Sequence, residues 1–182
     1  MEYKVVITQN QVLINNKLIF EAEPTLDATV FFKDLYKFLN LNYIKFFKMD
    51  PLSKLGFLAS ELLFQQVECE KTEDFEIILA CSSSSLESDH QFQSTINDSN
   101  NYFPSPSVFV YTLPNIVIGE IAIRHKILGN NCMYIISPDE RDLFFDKENI
   151  LYQTIEPKKQ IKGYLDFYKN KYFAEFLLTI NK

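Results

Sequence analysis

The stretch that decides the fold is "SPSVFVYTLPNIVIGEIAIRHKILGNN", residues Ser105–Asn131. A serine near its start can cap a helix, and the apolar residues of Val108–Ile123 then cover almost every direction around the helix axis. The pattern predicts a helix to about Lys126 that is buried on all sides. Pro114 should remove one backbone hydrogen bond from this helix and bend it.

An earlier stretch, "FFKMDPLSKLGFLASELLFQQ", predicts a second helix with a well-defined start. Asp50 can accept hydrogen bonds as the capping residue, and Pro51 suits the first helical position because its missing N–H would be unpaired there. The small residues Gly56 and Ala59 lie at helical spacing, so we expect a neighbouring element to approach this helix closely.

The rest of the chain alternates between strand-like and helix-like patterns. In chain order the other predicted elements are a strand at Tyr3–Thr8, a hairpin turning at Asn15–Asn16, a helix at Leu26–Leu39, a strand at Phe75–Ala80, a short helix at Ser88–Ile96, a strand from Cys132, a helix from Asp139, and two final strands joined at Lys169–Lys171. The first of these helices should bury Val30, Phe31, Leu35, Phe38 and Leu39. Alternation of this kind predicts an α/β fold with a mixed sheet.

Composition excludes several classes of partner. The net charge of −6 argues against nucleic acid, because phosphates require a basic surface. The longest nearly uncharged apolar run, Val108–Gly119, is too short to span a bilayer, so we expect no membrane partner. The first ten residues lack the charged and apolar layout of a signal peptide, and the expected location is the cytoplasm.

The sulfur and imidazole groups do not have the spacing of a metal site. Cys69, Cys81 and Cys132 are an odd set without metal-ligand spacing, and we expect free thiols in a reducing compartment. His90 and His125 are the only histidines and lie far apart in the sequence. The sequence therefore predicts no metal and no cofactor.

Several stretches, in order, resemble the N-terminal half of β-ketoacyl-acyl-carrier-protein synthases, which have a thiolase-like fold. "FKMDPLSKLGFLASELL" is similar to the family pattern R-x-M-D-x-x-x-x-x-A-x-x-A. The stretch from Pro106 is similar to P-x-x-F-x-x-x-x-P-N-x-x-x-G-x-I-A-x-x-x-x-x-x-G-P. Its structural motif residues in this chain are Phe109, Pro114, Asn115, Gly119 and Gly129.

The resemblance implies a thiolase-like half with a single mixed five-stranded sheet, helices on both faces and one buried helix. Residues 1–182 would form one ketosynthase N-terminal-like domain. Complete members of the family are longer, and their second half carries two catalytic histidines, so the resemblance also implies a truncated relative.

The resemblance places the family's nucleophilic cysteine at about Pro138, at the junction between a strand and a helix. Neither Ser137 nor Pro138 supplies a thiolate. Condensation requires a thiolate to hold the acyl chain and donors to stabilise the developing oxyanion. Cys81, in "ILACSSSSLESD", lies on an earlier strand, so the resemblance implies no catalytic residue in this chain.

These expectations favour a non-catalytic ketosynthase-like protein of fatty-acid or polyene and pigment biosynthesis. Its expected partner is an active ketosynthase subunit or acyl carrier protein, in a homodimer or a heterodimer. Carrier proteins are acidic, so Lys45, Lys48 and Lys54 are the candidate docking residues.

Two alternatives remain open from the residues alone. The first is an acyltransferase or thioesterase that uses Cys81 as its nucleophile, with the following polar loop as a lid. The second is a sensor that binds an acyl ligand without performing chemistry.

Overall fold

The molecule is organised around one mixed sheet. The computed structural model describes residues 1–24, 27–67, 72–146 and 159–181. The strands in these ranges are β1 Glu2–Thr8, β2 Gln11–Ile14, β3 Lys17–Glu21, β4 Glu76–Cys81, β5 Asn131–Ile135, β6 Lys159–Tyr168 and β7 Lys171–Ile180. They form a seven-stranded sheet in the order β3-β2-β1-β7-β6-β4-β5. The expectation of five strands is therefore wrong, because the β2–β3 hairpin pairs antiparallel with β1 and extends the sheet.

The helices lie between and around these strands. They are α1 Ala28–Phe38, α2 Pro51–Phe64, α3 Leu86–Ser94, α4 Pro106–Phe109, α5 Ile116–His125 and α6 Arg141–Phe145. Short 3₁₀ helices occur at Ile44–Lys48, Val110–Thr112 and Pro138–Glu140. Strand β4 runs parallel to both β5 and β6, whereas β7 is antiparallel to β6 and β1, which confirms the mixed α/β class.

Two tight turns close the predicted hairpins without glycine. Asn15 and Asn16 have φ values of 48° and 66°, and Lys169 and Asn170 have φ values of 49° and 64°. Two-residue hairpins require positive φ at both central positions, and asparagine adopts this conformation more readily than most residues. Both hairpin predictions are confirmed.

Helix α2 begins as its sequence predicts. The Asp50 carboxylate accepts a hydrogen bond from the Ser53 N–H at 3.1 Å, and Pro51 is the first helical residue. Gly56 lies so close to α5 that a Cβ atom there would be 2.3 Å from Val117 Cγ2. The close approach expected of this helix is confirmed.

Helix α1 buries part of the face expected of it, and Leu39 after its end is buried as predicted. Phe31, Phe32 and Leu35 are buried, but Val30 and Phe38 are 41 % and 53 % exposed. Phe32 is buried because it packs against the rings of Phe167 and Tyr172. The expected start of this helix at Leu26 lies outside the described residues.

The stretch predicted as one buried helix is two helices separated by a sharp bend. The Pro106–Thr112 segment and α5 meet at 98°. Leu113 has φ −108° and ψ 111°, the extended conformation that a following proline favours, so the helix stops before Pro114. Phe109 and Ile123 are 55 % and 64 % exposed. The expectation that this whole stretch is buried is therefore wrong.

The core is divided between the two faces of the sheet. On β6, Ile161 and Leu165 belong to a large cluster that α1, α2 and α5 cover. Tyr164, which alternation directs to the other face, belongs to a smaller cluster with Phe144 of α6. Helices therefore lie on both faces, and α5 shares the face of α2, where Val117 is buried.

In the described residues no single helix is long and apolar enough to cross a membrane. The two helices Pro106–Thr112 and Ile116–His125 reach the necessary length and apolar composition only when they are taken together across the bend between them.

Candidate functional site

The carboxyl ends of β4, β5 and β6 meet at one edge of the sheet because these strands are parallel. In open α/β sheets this edge is where ligands usually bind. It carries both positions that the sequence singled out for nucleophilic chemistry. Cys81 ends β4, and its carbonyl accepts a hydrogen bond from the Ile136 N–H at 3.0 Å, one residue before Ser137.

The serines after Cys81 are held by β6. The Asp166 carboxylate accepts hydrogen bonds from the Ser82 N–H at 3.2 Å and from the Ser83 N–H at 2.7 Å. The Ser83 Oγ donates to the same carboxylate at 2.9 Å, and the Ser82 Oγ lies 2.7 Å from the Tyr164 hydroxyl. These contacts explain the polar loop as a structural connection between β4 and β6. Asp166 had no assigned role in the sequence, because its partners lie more than 80 residues away.

Cys81 is surrounded by groups that keep it a thiol. Its side chain is 0 % exposed, and burial raises the pKa of the thiol to about 12. A hydrogen bond from the Ser84 backbone lowers this pKa, and the charge of Asp166 raises it further. The thiolate is the nucleophilic form, so this site opposes the chemistry that its sequence context suggests.

Ser137 and Pro138 form a capped turn at the end of β5. The Ser137 N–H donates to Glu140 Oε2 at 2.9 Å, and its hydroxyl donates to the Asp139 carboxylate. Together with the hydrogen bond between the Ser137 side chain and the Glu140 backbone, this arrangement is a capping box. The junction between strand and helix is therefore present, and the Asp139 carboxylate accepts a hydrogen bond from its hydroxyl.

The two histidines are in different parts of the structure, and each contacts its own set of side chains. His125 Nε2 is 3.3 Å from Glu61 Oε1, and its ring stacks on Phe64 with centroids 4.0 Å apart. Arg124 Nε donates to the same Glu61 oxygen at 2.7 Å. Burial raises the pKa of Glu61, but hydrogen bonds from His125 and Arg124 outweigh it and lower the pKa overall. This network joins α2 to α5. His90 stacks on Tyr168.

The three candidate docking lysines differ in their surroundings. Lys45 Nζ forms an ion pair at 2.7 Å with the buried carboxylate of Glu120. Lys48 is exposed, and Lys54 is partly buried with a pKa lowered chiefly by that burial. Lys48 and Lys54 line the same cleft, whereas Lys45 is paired with Glu120 on α5. No group of three or more metal-ligating side chains occurs in the described ranges.

The motif residues shape the bend and its approach to the sheet. Pro114 and Asn115 lie at the bend, and the Asn115 carbonyl accepts the first hydrogen bond of α5 from Ile118 at 3.1 Å. A Cβ at Gly129 would lie 2.3 Å from the Phe75 carbonyl oxygen, so the loop before β5 requires a glycine there. A Cβ atom at Gly119 would meet no neighbouring atom within 4 Å, so this position has open space.

Comparison with solved structures relates this architecture to known proteins. The ketosynthase ApeO in complex with its chain length factor ApeC from Xenorhabdus doucetiae has a TM-score of 0.65 and 12 % sequence identity, covering 100 % of this chain and 77 % of that chain. The chain has a ketosynthase-like fold. The ishigamide ketosynthase/chain length factor is similar to this ketosynthase-like chain with a TM-score of 0.64 and 14 % identity, covering 98 % of this chain and 61 % of that one. No protein-family model and no curated protein matches the sequence.

Proposed function

We propose that this chain is a non-catalytic ketosynthase-like subunit that pairs with an active ketosynthase. The observation that carries the proposal is a ketosynthase-like fold in which a capped Ser137–Pro138 turn stands where the resemblance implies the reactive cysteine. A chain that has this fold but no cysteine at this junction suits the role of a structural partner. Fatty-acid or polyene biosynthesis is the pathway we propose.

The surroundings of Cys81 argue against a catalytic alternative. Acyl transfer needs a thiolate and donors aimed at the developing oxyanion. Cys81 is buried with a pKa of about 12, and the neighbouring Asp166 adds negative charge where an oxyanion would need positive charge.

Strand β5 supplies the edge for pairing. It is the last strand of the described sheet on the β4 side. The Asn130 carbonyl accepts a hydrogen bond from β4, and the Ile136 N–H donates one to β4. Because backbone groups alternate in direction along a strand, the N–H and C=O groups of Asn131, Met133 and Ile135 point away from β4. Such an edge can accept a strand from a partner.

Apolar surface lies close to this edge. Ile135 is 54 % exposed, Ile123 at the end of α5 is 64 % exposed, and Leu128 in the loop that leads into β5 is 81 % exposed. A partner strand on β5 would cover part of this surface, which favours pairing at this edge over the opposite edge, β3, where Lys17 and Glu21 are exposed.

A pull-down with a full-length ketosynthase from the same genome tests the proposal. We expect a complex in which Ile135→Pro abolishes pairing, because proline removes the outward N–H while edge strands tolerate it. Ile135→Val is the matched control and should bind normally. Circular dichroism of both variants shows whether the fold persists.

Failure of the wild-type chain to bind any full-length ketosynthase of its host would overturn the proposal. Binding that survives Ile135→Pro would place the interface elsewhere. Capture of acyl carrier protein instead would indicate the other expected partner. Lys48 is then the candidate among Lys45, Lys48 and Lys54, because it is exposed and Lys45 is paired with Glu120.

One observation favours the sensor as a second candidate. A groove of about 560 Å³ lies between the β2–β3 hairpin and the carboxyl ends of α1 and α2. Apolar side chains line it, including Ile19, Phe38 and Leu62. Its volume falls in the range of small-molecule sites. A thermal shift with acyl chains that Phe38→Gln abolishes would support this reading, because Phe38 lines the groove and is half-exposed. No shift with any chain length would exclude it.

A further inference from the structure

The lysines near the start of α2 are not paired with carboxylates. Ion pairs within 4.0 Å are formed by other lysines of the described residues, for example Lys4, Lys37 and Lys45. The described part of the chain contains no such pair for Lys33, Lys48 or Lys54. Lys48 and Lys54 line one cleft, and the charge of Lys33 on α1 acts on Lys54.

Lys48 and Lys54 line a cleft of about 300 Å³. It forms where the first turns of α1 and α2 meet α3 and the α4 segment. The polar groups that line it besides the lysines are Thr29, Asp50, Ser88, Gln91, Ser107 and Tyr111. The cleft therefore combines two cationic groups with hydroxyl and amide groups. Two of the hydroxyls already have acceptors, since Ser88 donates to Asp50 and Tyr111 donates to Glu120.

The one carboxylate in the cleft is already used. Asp50 Oδ1 accepts from the Ser53 N–H at 3.1 Å, and Asp50 Oδ2 accepts from the Ser88 Oγ at 3.3 Å. These bonds turn the carboxylate toward the start of α2, where it caps the helix. It does not form an ion pair with Lys48 or Lys54, so the ammonium groups remain available.

The surroundings of Lys54 compensate its charge only in part. Burial lowers the pKa of its ammonium group, the charge of Lys33 lowers it further, and Asp50 compensates only in part. A cation that is partly removed from water disfavours its own charged form unless a counter-ion compensates it fully. A bound anion would relieve this cost.

We propose that this cleft binds the phosphate group of a small molecule. Two ammonium groups with hydroxyl and amide donors match the acceptor oxygens of a phosphate, and charge-assisted hydrogen bonds are the strong ones. The cleft is at the small end of ligand sites, so it fits a phosphate with a small organic group. The inference goes beyond pairing with a synthase and does not rest on it.

Nuclear magnetic resonance titrations at constant ionic strength test the site. The probes are inorganic phosphate, glycerol 3-phosphate and phosphopantetheine, which separate a free phosphorylated metabolite from the phosphate of a carrier-protein arm. We expect saturable shifts of the Ser88 and Gln91 amides. Lys48→Gln with Lys54→Gln should weaken binding at least about tenfold, since each lysine supplies a charge-assisted contact.

The matched control removes two exposed lysines elsewhere, Lys17→Gln with Lys171→Gln, and should bind as the wild type does. Equal weakening in both double variants would show general charge attraction and overturn the proposal. Absence of saturable shifts with all three probes would overturn it as well. Thermal unfolding in phosphate-free buffer checks that both double variants are folded.

Discussion

A thiol becomes a nucleophile only as the thiolate, and the surroundings of Cys81 oppose that form. Its burial, rather than its serine-rich neighbourhood, sets its chemistry, because removing a thiolate from water costs more than one backbone hydrogen bond returns. Cys132 provides a contrast on the next strand, where the side chain is exposed.

Alkylation distinguishes Cys81 from Cys132; the third cysteine, Cys69, lies outside the described residues. At pH 7 a thiol with a pKa of about 12 is thiolate only roughly once in 10⁵ molecules. We expect iodoacetamide to modify Cys132 readily in the native protein and Cys81 only after denaturation. Peptide mass spectrometry reads each site. Rapid native modification of Cys81 would revive the acyltransferase hypothesis.

Asp50 makes stability depend on pH. Burial raises its pKa above 3.8, against hydrogen bonds from Ser53 and Ser88. The folded state then holds the proton more tightly than the unfolded state, so this group's contribution to stability falls as pH rises from 3.8 through the raised folded value. Asp50→Asn keeps the cap and removes the charge.

We therefore expect Asp50→Asn to be more stable than the wild type at pH 7, with the difference shrinking as pH falls toward 4. Urea unfolding at several pH values measures it. A variant that is less stable than the wild type at neutral pH would show that the cap needs the carboxylate.

At the scale of elements, α2 and α5 approach closely at one glycine. Gly56 faces Val117 Cγ2 and Leu165 Cδ1, which a Cβ would meet at 2.3 Å and 3.0 Å. Gly119 on the facing helix α5 has open space instead. The two glycines therefore respond differently to the same substitution.

Gly56→Ala should lower the free energy of unfolding by about 1–3 kcal/mol, because overpacking exceeds the gain of about 1 kcal/mol in helix propensity. Gly119→Ala should raise it by up to about 1 kcal/mol. Chemical denaturation of both variants measures this. A stabilising Gly56→Ala would mean that Val117 moves aside without strain.

At the scale of the whole molecule, the sheet joins the two ends of the chain. Strand β1 lies between β2 and β7, and the Ile180 N–H donates to the Met1 carbonyl at 2.9 Å. Phe176 on β7 is completely buried in the larger core cluster, so it contributes to a core that the first and last strands share.

Phe176→Ala should lower the free energy of unfolding by about 3–5 kcal/mol, the usual cost of a large cavity in a core. Phe109→Ala is the control at a half-exposed ring and should cost less than about 1 kcal/mol. Urea denaturation followed by far-ultraviolet circular dichroism measures both. Equal losses would contradict the division between core and surface described above.

Much of the local structure was predictable because its causes are local. Asp50 and Pro51 start a helix through one hydrogen bond and one fixed φ value, and Asn15–Asn16 closes a hairpin through its tolerance of positive φ. For the candidate site, the sequence indicated which positions to consider, Cys81 and the Ser137–Pro138 junction, but not the groups that surround them. The chemistry of the site depends on Asp166, which reaches the serine loop from another strand.

The sequence by itself determined the mixed α/β class, the capped start of α2 and the two glycine-free turns, because each depends on residues adjacent in the chain. Only the tertiary structure decided that all seven strands join one sheet, how sharply the chain turns at Pro114, and the burial of Cys81. Strand pairing and burial depend on residues brought together from distant parts of the chain. The bend shows the same dependence: Pro114 interrupts the helix locally, but the packing of Val117 beside Gly56 determines which part of that helix enters the core.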